Sequence, residues 1–381
     1  MAPGSLAGGK LVYQYGAASV YTKGGNVATV ERTTAPAEAD LAPGAPPLAA
    51  NDPVATRLRA YALYTLRLAD VLSQPEAKAE LYSEAAKLFL RLSDNDAAAA
   101  VLRTQLDNTP DDATLFGQLH TLLTARAEDS KGGDPGPLVE LINFRLSQRA
   151  DNDAHKKSEL PLRVSLLLQR AGLLRAAGQN NEAIADLQQL LAFDPQHATA
   201  HRRLGELLAQ AGMTDDAVRH FEKFLQIDTN PAERSAVHLG AARLLSTTAP
   251  DRAMTHVRAA IDLGHKTRGL RGDAVDTMEE VSALADLYRW LEELQLSQGQ
   301  SEAAVATLRE LEGHIPNQPS FFEERQRISL AIAAVLEKKQ KDPAGAIAAL
   351  EKVAAAEPLA LKILERLAEL GQVAGTSSKM A

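Results

Sequence analysis

The sequence predicts an all-α fold built from repeated antiparallel helix pairs, and three observations support that prediction. From Val54 onward, apolar residues recur with the period of amphipathic helices, interrupted only by short breaks that contain Gly, Asp, Asn or Pro. The landmarks of a helix pair return after 34 residues. The chain is 45% hydrophobic but only 4% aromatic, so Ala and Leu must fill its interior, which suits closely packed helices better than sheets.

Residues 1–53 differ from the rest of the chain. They contain paired glycines and a Pro/Ala stretch, and we expect a flexible or weakly ordered leader with a Pro-rich linker. Leu11–Tyr15 and Val27–Arg32 could pair as a small hairpin, although an isolated two-stranded hairpin is marginal in water. The predicted domains are therefore the leader at 1–53, a helical array at 54–371 and a disordered tail at 372–381.

The helical array begins with Arg57–Leu72, which carries a broad apolar face. The clearest repeat aligns residues 176–195 with 210–229. The landmarks shared by the two copies are a glycine, a small alanine and a large apolar residue four positions later, and a closing proline follows in the first copy and in several of the looser ones. Looser copies lie both upstream and downstream, and no strand run occurs after residue 54.

Each landmark has a physical role. The glycines end the first helix, where a left-handed residue is needed. The alanines let two helices approach closely, the apolar residues that follow join the pair, and the prolines stop the second helix. The glycines are Gly178, Gly212 and Gly299; the alanines are Ala183, Ala217, Ala253, Ala304 and Ala346; the apolar residues are Leu187, Phe221, Val257 and Leu308; the prolines are Pro110, Pro195, Pro316 and Pro358.

The pattern L-G…G…A…F…A…P at this spacing resembles the tetratricopeptide repeat (TPR) family. The best copies span 164–197 and 198–231, looser ones lie at about 79–111, 233–266, 285–318 and 327–360, and 112–150 resembles a degenerate copy. The resemblance implies a right-handed α-solenoid over most of 54–371. The sequence departs from the family pattern in two places. Leu167 in one copy and His201 in the next stand where the family has an aromatic residue early in the first helix, and an extended stretch at 267–284 precedes the fourth copy.

The resemblance also implies where a partner would bind, because the first helix of each TPR pair lines a concave groove. The residues that it places toward this groove are Leu168, Arg175, Arg202, Glu206, Gln210, Arg234 and Val237, with Leu244 in the apolar floor. Eleven basic residues stand against eight acidic ones between residues 196 and 271, so arginines here could grip partner carboxylates. The alternative is that they are ordinary solubilising side chains.

Composition limits the classes of function. The 381 residues include no Cys, which excludes disulfide frameworks, thiolate zinc sites and cysteine nucleophiles. The net charge of −8 argues against a general nucleic-acid binder. No apolar run approaches the ~20 residues of a membrane span, and the N-terminus does not resemble a secretory signal. We therefore expect a cytoplasmic protein with protein partners, no nucleic acid and no membrane insertion.

Motifs for chemistry are weak. The string GSLAGGK (4–10) resembles the start of a phosphate-binding loop, but Leu11 stands where Ser or Thr is needed. His197 and His201 have a metal-ligand spacing but no identifiable third ligand, and the clustered histidines are interpreted as surface residues at helix starts and on second helices. Acid pairs such as Asp215-Asp216 are typical of a solvated helix face. We expect no catalytic residue, cofactor or metal.

The function predicted is a non-catalytic interaction scaffold that binds partner peptides or helices. The alternative is the regulatory or assembly region of a larger multidomain enzyme or secretion component. A third possibility is an RNA- or lipid-associated adaptor that uses the basic segment. The Lys and Asn pattern by which some TPR proteins clamp chaperone C-termini is absent, since Leu168, Gly172 and Arg203 stand at those positions. The identity of the partner, the pathway, the oligomeric state and whether the chain is a fragment all stay open.

Overall fold

The structure is a computed structural model. The residues that it describes are 10–15, 18–22, 53–128, 133–148, 153–269, 277–357 and 360–373. The chain divides into two compact units, residues 1–149 and 150–381. Within the described residues, apart from one small hairpin, both units are built of α-helices, as the sequence predicts.

The hairpin in the first unit corrects one expectation. Strands β1 (Lys10–Tyr15) and β2 (Ala18–Thr22) pair in antiparallel fashion, so the first strand is predicted correctly but its partner is not Val27–Arg32. Only two residues separate β1 from β2, and a short loop costs less closure entropy than the longer loop that the predicted pairing needs. Val27–Arg32 and the string 4–9 lie outside the described residues.

Five helices follow in the first unit, and each packs against the next. Their bounds are α1 Pro53–Val71, α2 Pro75–Arg91, α3 Asn95–Asn108, α4 Ala113–Ala127 and α5 Gly136–Ser147. Side-chain caps define two of the starts, because Asp94 accepts from the N–H of Ala97 and Asp112 accepts from those of Thr114 and Leu115.

The second unit is an α-solenoid in which helices adjacent in sequence pack in order. Its helices are α6 Asp153–Ala176, α7 Asn180–Phe193, α8 Ala198–Gln210, α9 Thr214–Ile227, α10 Pro231–Leu245, α11 Pro250–Gly269, α12 Met278–Ser297, α13 Ser301–His314, α14 Phe322–Lys338, α15 Pro343–Ala356 and α16 Leu361–Val373. A short 3-10 helix, Pro319–Phe321, precedes α14. The first helix of each predicted pair is even-numbered here, from α6 to α14.

The predicted landmarks take their predicted conformations. Gly178 and Gly212 end α6 and α8 with φ of 77°, and Gly299 ends α12 with φ of 72°. The five small alanines are all 0% exposed, as close approach of two helices requires. Leu187, Phe221, Val257 and Leu308 are buried beside them. Pro358 lies outside the described residues.

The sequence predicts an extended stretch at 267–284 between the third and fourth copies, but this stretch is helical at both ends. Helix α11 continues to Gly269, and α12 begins at Met278. Thr277 and Glu280 explain this start because they form a capping box: the Thr277 hydroxyl accepts from Glu280 N at 3.2 Å, and Glu280 Oε2 accepts from Thr277 N at 3.0 Å. The irregularity therefore comes largely from two long helices of 20 residues each.

Candidate functional site

A chain of alternating charges crosses three successive first helices of the second unit. Glu206 on α8 accepts from Arg175 Nη1 on α6 at 2.7 Å and from Arg202 Nη1 at 2.9 Å. Arg202 Nε in turn lies 3.6 Å from Glu233 Oε2 on α10. We call Arg175, Glu206, Arg202 and Glu233 the charge ladder. Three of its members, Arg175, Arg202 and Glu206, are residues predicted for the groove, and the structure brings them into contact on first helices.

Glu233 is a member of the charge ladder that the sequence interpretation missed. A signal for it exists, because Arg175 and Glu206 are 31 residues apart, and so are Arg202 and Glu233. A charge pair that recurs at nearly the repeat length predicts contact between stacked first helices.

Two cavities open beside the charge ladder. The first, which we call the arginine cavity, has a volume of about 430 Å³ and is lined by Arg175, Arg202 and Arg203 over an apolar floor of Ala171, Leu187 and Leu207. The second, of about 240 Å³, is lined by Arg202, Glu206 and Glu233 with the apolar residues Phe221 and Val237. Arginine groups next to apolar walls are a combination typical of protein recognition surfaces.

The arginine cavity holds more positive charge than its own carboxylate neutralises. Burial lowers the pKa of Arg203, the nearby charges of Arg202 and Arg175 lower it further, and Glu206 opposes them. Arg203 Nη1 donates to the Leu168 carbonyl at 3.2 Å. Within the described part of the chain, the Nε of Arg202 is buried without a hydrogen-bond partner. Three guanidinium groups thus stand against the carboxylates of Glu206 and Glu233, so an anion in this cavity would meet a net positive charge.

The other predicted groove residues lie differently. Arg234 does not face the groove as predicted. Its Nη1 donates to the carbonyl of Leu225 and, at 2.7 Å, to that of Asp228. Arg234 therefore caps the C-terminal end of α9 and does not extend the charge ladder. Val237 is only 3% exposed and packs with Phe221 and Phe224. Leu168 and Leu244 are half-buried, and Gln210 is exposed at the last residue of α8. The predicted stripe of Arg175, Arg202 and Arg234 is therefore not formed.

Family models match the same part of the second unit. A model described as "TPR repeat" matches residues 173–212, and one described as "Tetratricopeptide repeat" matches residues 200–235. Residues 173–235 therefore carry tetratricopeptide repeats. Proteins with such repeats are in general non-catalytic scaffolds with protein partners, and a repeat array provides the extended surface that such recognition uses. None of the helices in the described part of this chain is both long and apolar enough to cross a membrane.

Several solved structures are similar to this chain at low identity. The C-terminal part of a TPR repeat-containing protein from Cytophaga hutchinsonii is 14% identical, with a TM-score of 0.41, and covers 81% of this chain and 98% of its own. A TPR protein from Parabacteroides merdae is 19% identical, with a TM-score of 0.34, and covers 77% and 98%. The MamA protein is 14% identical, with a TM-score of 0.38, and covers 52% and 97%. No curated protein matches.

The histidines of the TPR repeats are not the surface residues that were expected. His201 and His256 are 7% and 9% exposed. His201 Nδ1 lies 2.9 Å from His220 Nδ1, and the same distance separates His238 Nδ1 from His256 Nδ1. In each contact one ring nitrogen must donate and the other must accept. Burial is the first cause that lowers the pKa of His220 and of His238 to about 4, followed by the partner histidine and a nearby arginine.

These histidine pairs belong to a polar contact that recurs between the two helices of a TPR pair. The residue three positions after the small alanine bonds to the first helix in four repeats. The contacts are Asp186 with Arg170, His220 with His201, His256 with His238 and Thr307 with Gln295. A buried position next to the helix crossing thus keeps a satisfied polar group in each of these repeats.

The suspected His197 and His201 pair serves the fold. His197 Nδ1 accepts from Ala200 N at 3.2 Å and caps α8, while His201 Nε2 lies 3.1 Å from the carbonyl oxygen of Pro195.

The acid pairs Asp215-Asp216 and Glu279-Glu280 occupy first turns of helices, where the helix dipole favours them.

Among the described residues, one group of three side chains is arranged so that it could hold a metal ion: His265, Glu310 and His314.

Proposed function

We propose that this chain is a non-catalytic scaffold that binds an acidic segment of a partner protein along the first helices α6, α8 and α10. In the TPR family this face lines the concave groove. The observation that carries the proposal is the arginine cavity, where three guanidinium groups surround an apolar floor beside the charge ladder.

The charge ladder prepares the guanidinium groups for an incoming carboxylate. Glu206 holds Arg175 and Arg202 in position, so little side-chain entropy is left to lose on binding. The Arg175 side chain is 41% exposed and can reach a ligand from solvent. Since the fork of a guanidinium matches a carboxylate, Asp or Glu of the partner is the group that this cavity favours.

Apolar contacts supply the second part of recognition. Ala171, Leu187 and Leu207 form the floor of the arginine cavity, and Val237 with Phe221 forms a wall of the neighbouring one. Gly172 also lines the first cavity, where a Cβ would make an ordinary contact of 3.4 Å with Arg203 Nη1. The segment that fits these two cavities is acidic with interspersed apolar side chains.

The test uses two synthetic peptides of equal length, one of Leu and Glu and one of Leu and Gln. We expect the full chain to prefer the Leu/Glu peptide in a fluorescence anisotropy titration, with affinity falling as salt rises. The R175A/R202A/R203A variant should bind it at least tenfold more weakly, since hydrogen bonds to charged groups contribute about 1.5–3 kcal/mol each.

The matched control is R219A/R252A, which removes exposed arginines from the second helices α9 and α11. The proposal is wrong if this control weakens peptide binding as much as the triple variant does, or if the wild-type chain shows no preference for the acidic peptide. E206Q tests the competition between Glu206 and the partner. Gln keeps an oxygen that can accept from Arg175 or Arg202 but removes the negative charge that competes with the peptide, so acidic-peptide affinity should stay the same or rise.

The proposal places the protein in the cytoplasm and assigns it no chemistry of its own. Fractionation of cells that express the full chain with a small C-terminal epitope would test the location. Recovery in a membrane or extracellular fraction would contradict it.

A further inference from the structure

We propose that His265, Glu310 and His314 form a binding site for a divalent transition-metal ion of the zinc type. This site is separate from the partner-binding face and does not depend on the proposed function. His265 lies near the end of α11, while Glu310 and His314 are four residues apart on one face of α13. One ligand atom from each side chain lies within 4.8 Å of the other two.

The ligand set suits zinc in chemistry and in size. Two imidazoles and one carboxylate are ligands that zinc accepts, and the absence of Cys leaves no softer competitor in the chain. Zinc–nitrogen bonds of about 2.0–2.1 Å put neighbouring ligand atoms about 3.3 Å apart in a tetrahedral site. The three atoms therefore need to close by no more than about 1.5 Å, which small rotations of the three side chains can supply. The His265 and His314 rings already lie 4.0 Å apart between centroids.

Tyr288 on α12 sets the proton position on His265. Its hydroxyl donates to Glu310 Oε1 at 2.9 Å, so the phenolic oxygen is left to accept from His265 Nε2, 2.8 Å away. With its proton on Nε2, His265 would present Nδ1 to the ion as the ligand atom. Metal-binding histidines commonly have their other nitrogen fixed in this way. Tyr288 is 0% exposed, so the packing around it holds the hydroxyl in place.

Arg258 on α11 holds the third ligand. Its Nη1 donates to Glu310 Oε2 at 2.6 Å, and the Glu310 side chain remains 39% exposed. Each carboxylate oxygen has two lone pairs, so the bonds from Tyr288 and Arg258 orient Glu310 and still leave positions for an ion. The ion can enter from solvent, because His314 is exposed.

The position of the site indicates what the ion would do. It would join α11 to α13, across the junction where residues 270–276 connect two long helices. An ion that binds the folded state alone stabilises it by mass action. We therefore expect zinc to stabilise the junction between the third and fourth repeats of the second unit.

The experiment is a zinc titration of the full chain, purified without a histidine tag and stripped with a chelator. Competition with a chromogenic zinc indicator should show one saturable ion per chain, and zinc should raise the melting temperature. Co²⁺ in place of zinc should give the visible absorption of a low-symmetry nitrogen and oxygen site. H314Q and E310Q should each weaken zinc binding at least tenfold, and H265Q/H314Q should abolish the saturable site.

The matched control is H238Q/H256Q, which removes a histidine pair. Neither histidine belongs to the group of three ligands found among the described residues. This variant should leave zinc affinity unchanged. Stoichiometric binding that survives H314Q and E310Q, or that falls equally in the control, would overturn the proposal and assign the binding to scattered histidines. Failure of the wild-type chain to bind one zinc ion would overturn it directly. Because His314 is exposed, H314Q keeps the test valid even if H265Q/H314Q does not fold, which far-UV circular dichroism will reveal.

Discussion

At the residue scale, the small alanines at the helix crossings leave no room for growth. Ala183 is 0% exposed on α7, whereas Ala185, two positions along the same helix, is exposed. Leu at position 183 must displace α6 or adopt a strained rotamer, while Leu at 185 projects into solvent.

We expect A183L to lower the free energy of unfolding by about 1–3 kcal/mol and A185L to change it by less than about 0.5 kcal/mol. Urea unfolding followed by circular dichroism measures both. Equal stability of the two variants would mean that the helix-pair register is wrong.

The histidine pairs make stability depend on pH. The native pKa of His220 and of His238 is lowered to about 4, against 6.5 without the fold. Between these values the unfolded chain binds more protons than the native chain, so acid favours unfolding. The stability that burial of uncharged His220 and His238 contributes is present above pH 6.5 and is lost as the pH falls toward 4.

We expect the urea midpoint of the wild-type chain to fall between pH 7 and pH 5, and to fall less in H220Q/H238Q. H120Q is the control, because His120 lies outside both pairs and stacks on Phe116. A pH slope that is the same in the double variant and in the control would show that other groups cause the acid sensitivity.

At the element scale, left-handed glycines end three of the first helices. Gly212 has φ of 77°, and a Cβ added there would meet nothing within 4 Å. The same open space surrounds Gly313, which lies inside α13 with ordinary helical geometry. The two positions therefore differ in backbone conformation and not in crowding.

Replacement by alanine should act in opposite directions at these glycines. G212A should destabilise the chain by about 1–2 kcal/mol, because an L-residue is strained in the left-handed region. G313A should stabilise it by up to about 1 kcal/mol through better helix propensity. Thermal unfolding of both variants measures the contrast, and destabilisation by both would contradict the assignment of Gly212 as a conformational requirement.

At the scale of the whole molecule, a repeat array needs a helix to cover its last pair. Helix α16 packs on α15 and α14 and buries Ile363, Leu367 and Leu370, which belong to one hydrophobic core that continues back to Val218. Leu364, the neighbour of Ile363, is 41% exposed. A buried charge in α16 should therefore open the end of that core.

I363D should lower the melting temperature and increase binding of a hydrophobic dye, whereas L364D should leave both nearly unchanged. Differential scanning fluorimetry of the full chain compares them. If I363D melts like the wild-type chain, α16 does not contribute to the stability of the array.

Local requirements could be predicted from the sequence because they act within a few residues. A left-handed turn at Gly178 needs glycine, and a crossing at Ala183 needs a small side chain, so these residues recur at the repeat length wherever the helix pair recurs. The extent of α12 was less predictable, because its start depends on a capping box at Thr277 and not on apolar periodicity.

The sequence by itself determined the TPR helix pairs, their turns and the helices that carry a candidate binding face. Only the tertiary structure decided which side chains meet. It brought Glu233 into the charge ladder, turned Arg234 back onto α9, buried the histidine pairs and gathered His265, Glu310 and His314 from two helices. The physical reason is that a backbone preference is set by neighbours in the chain. A hydrogen bond between long side chains depends instead on the stacking and rotamers of helices that lie tens of residues apart.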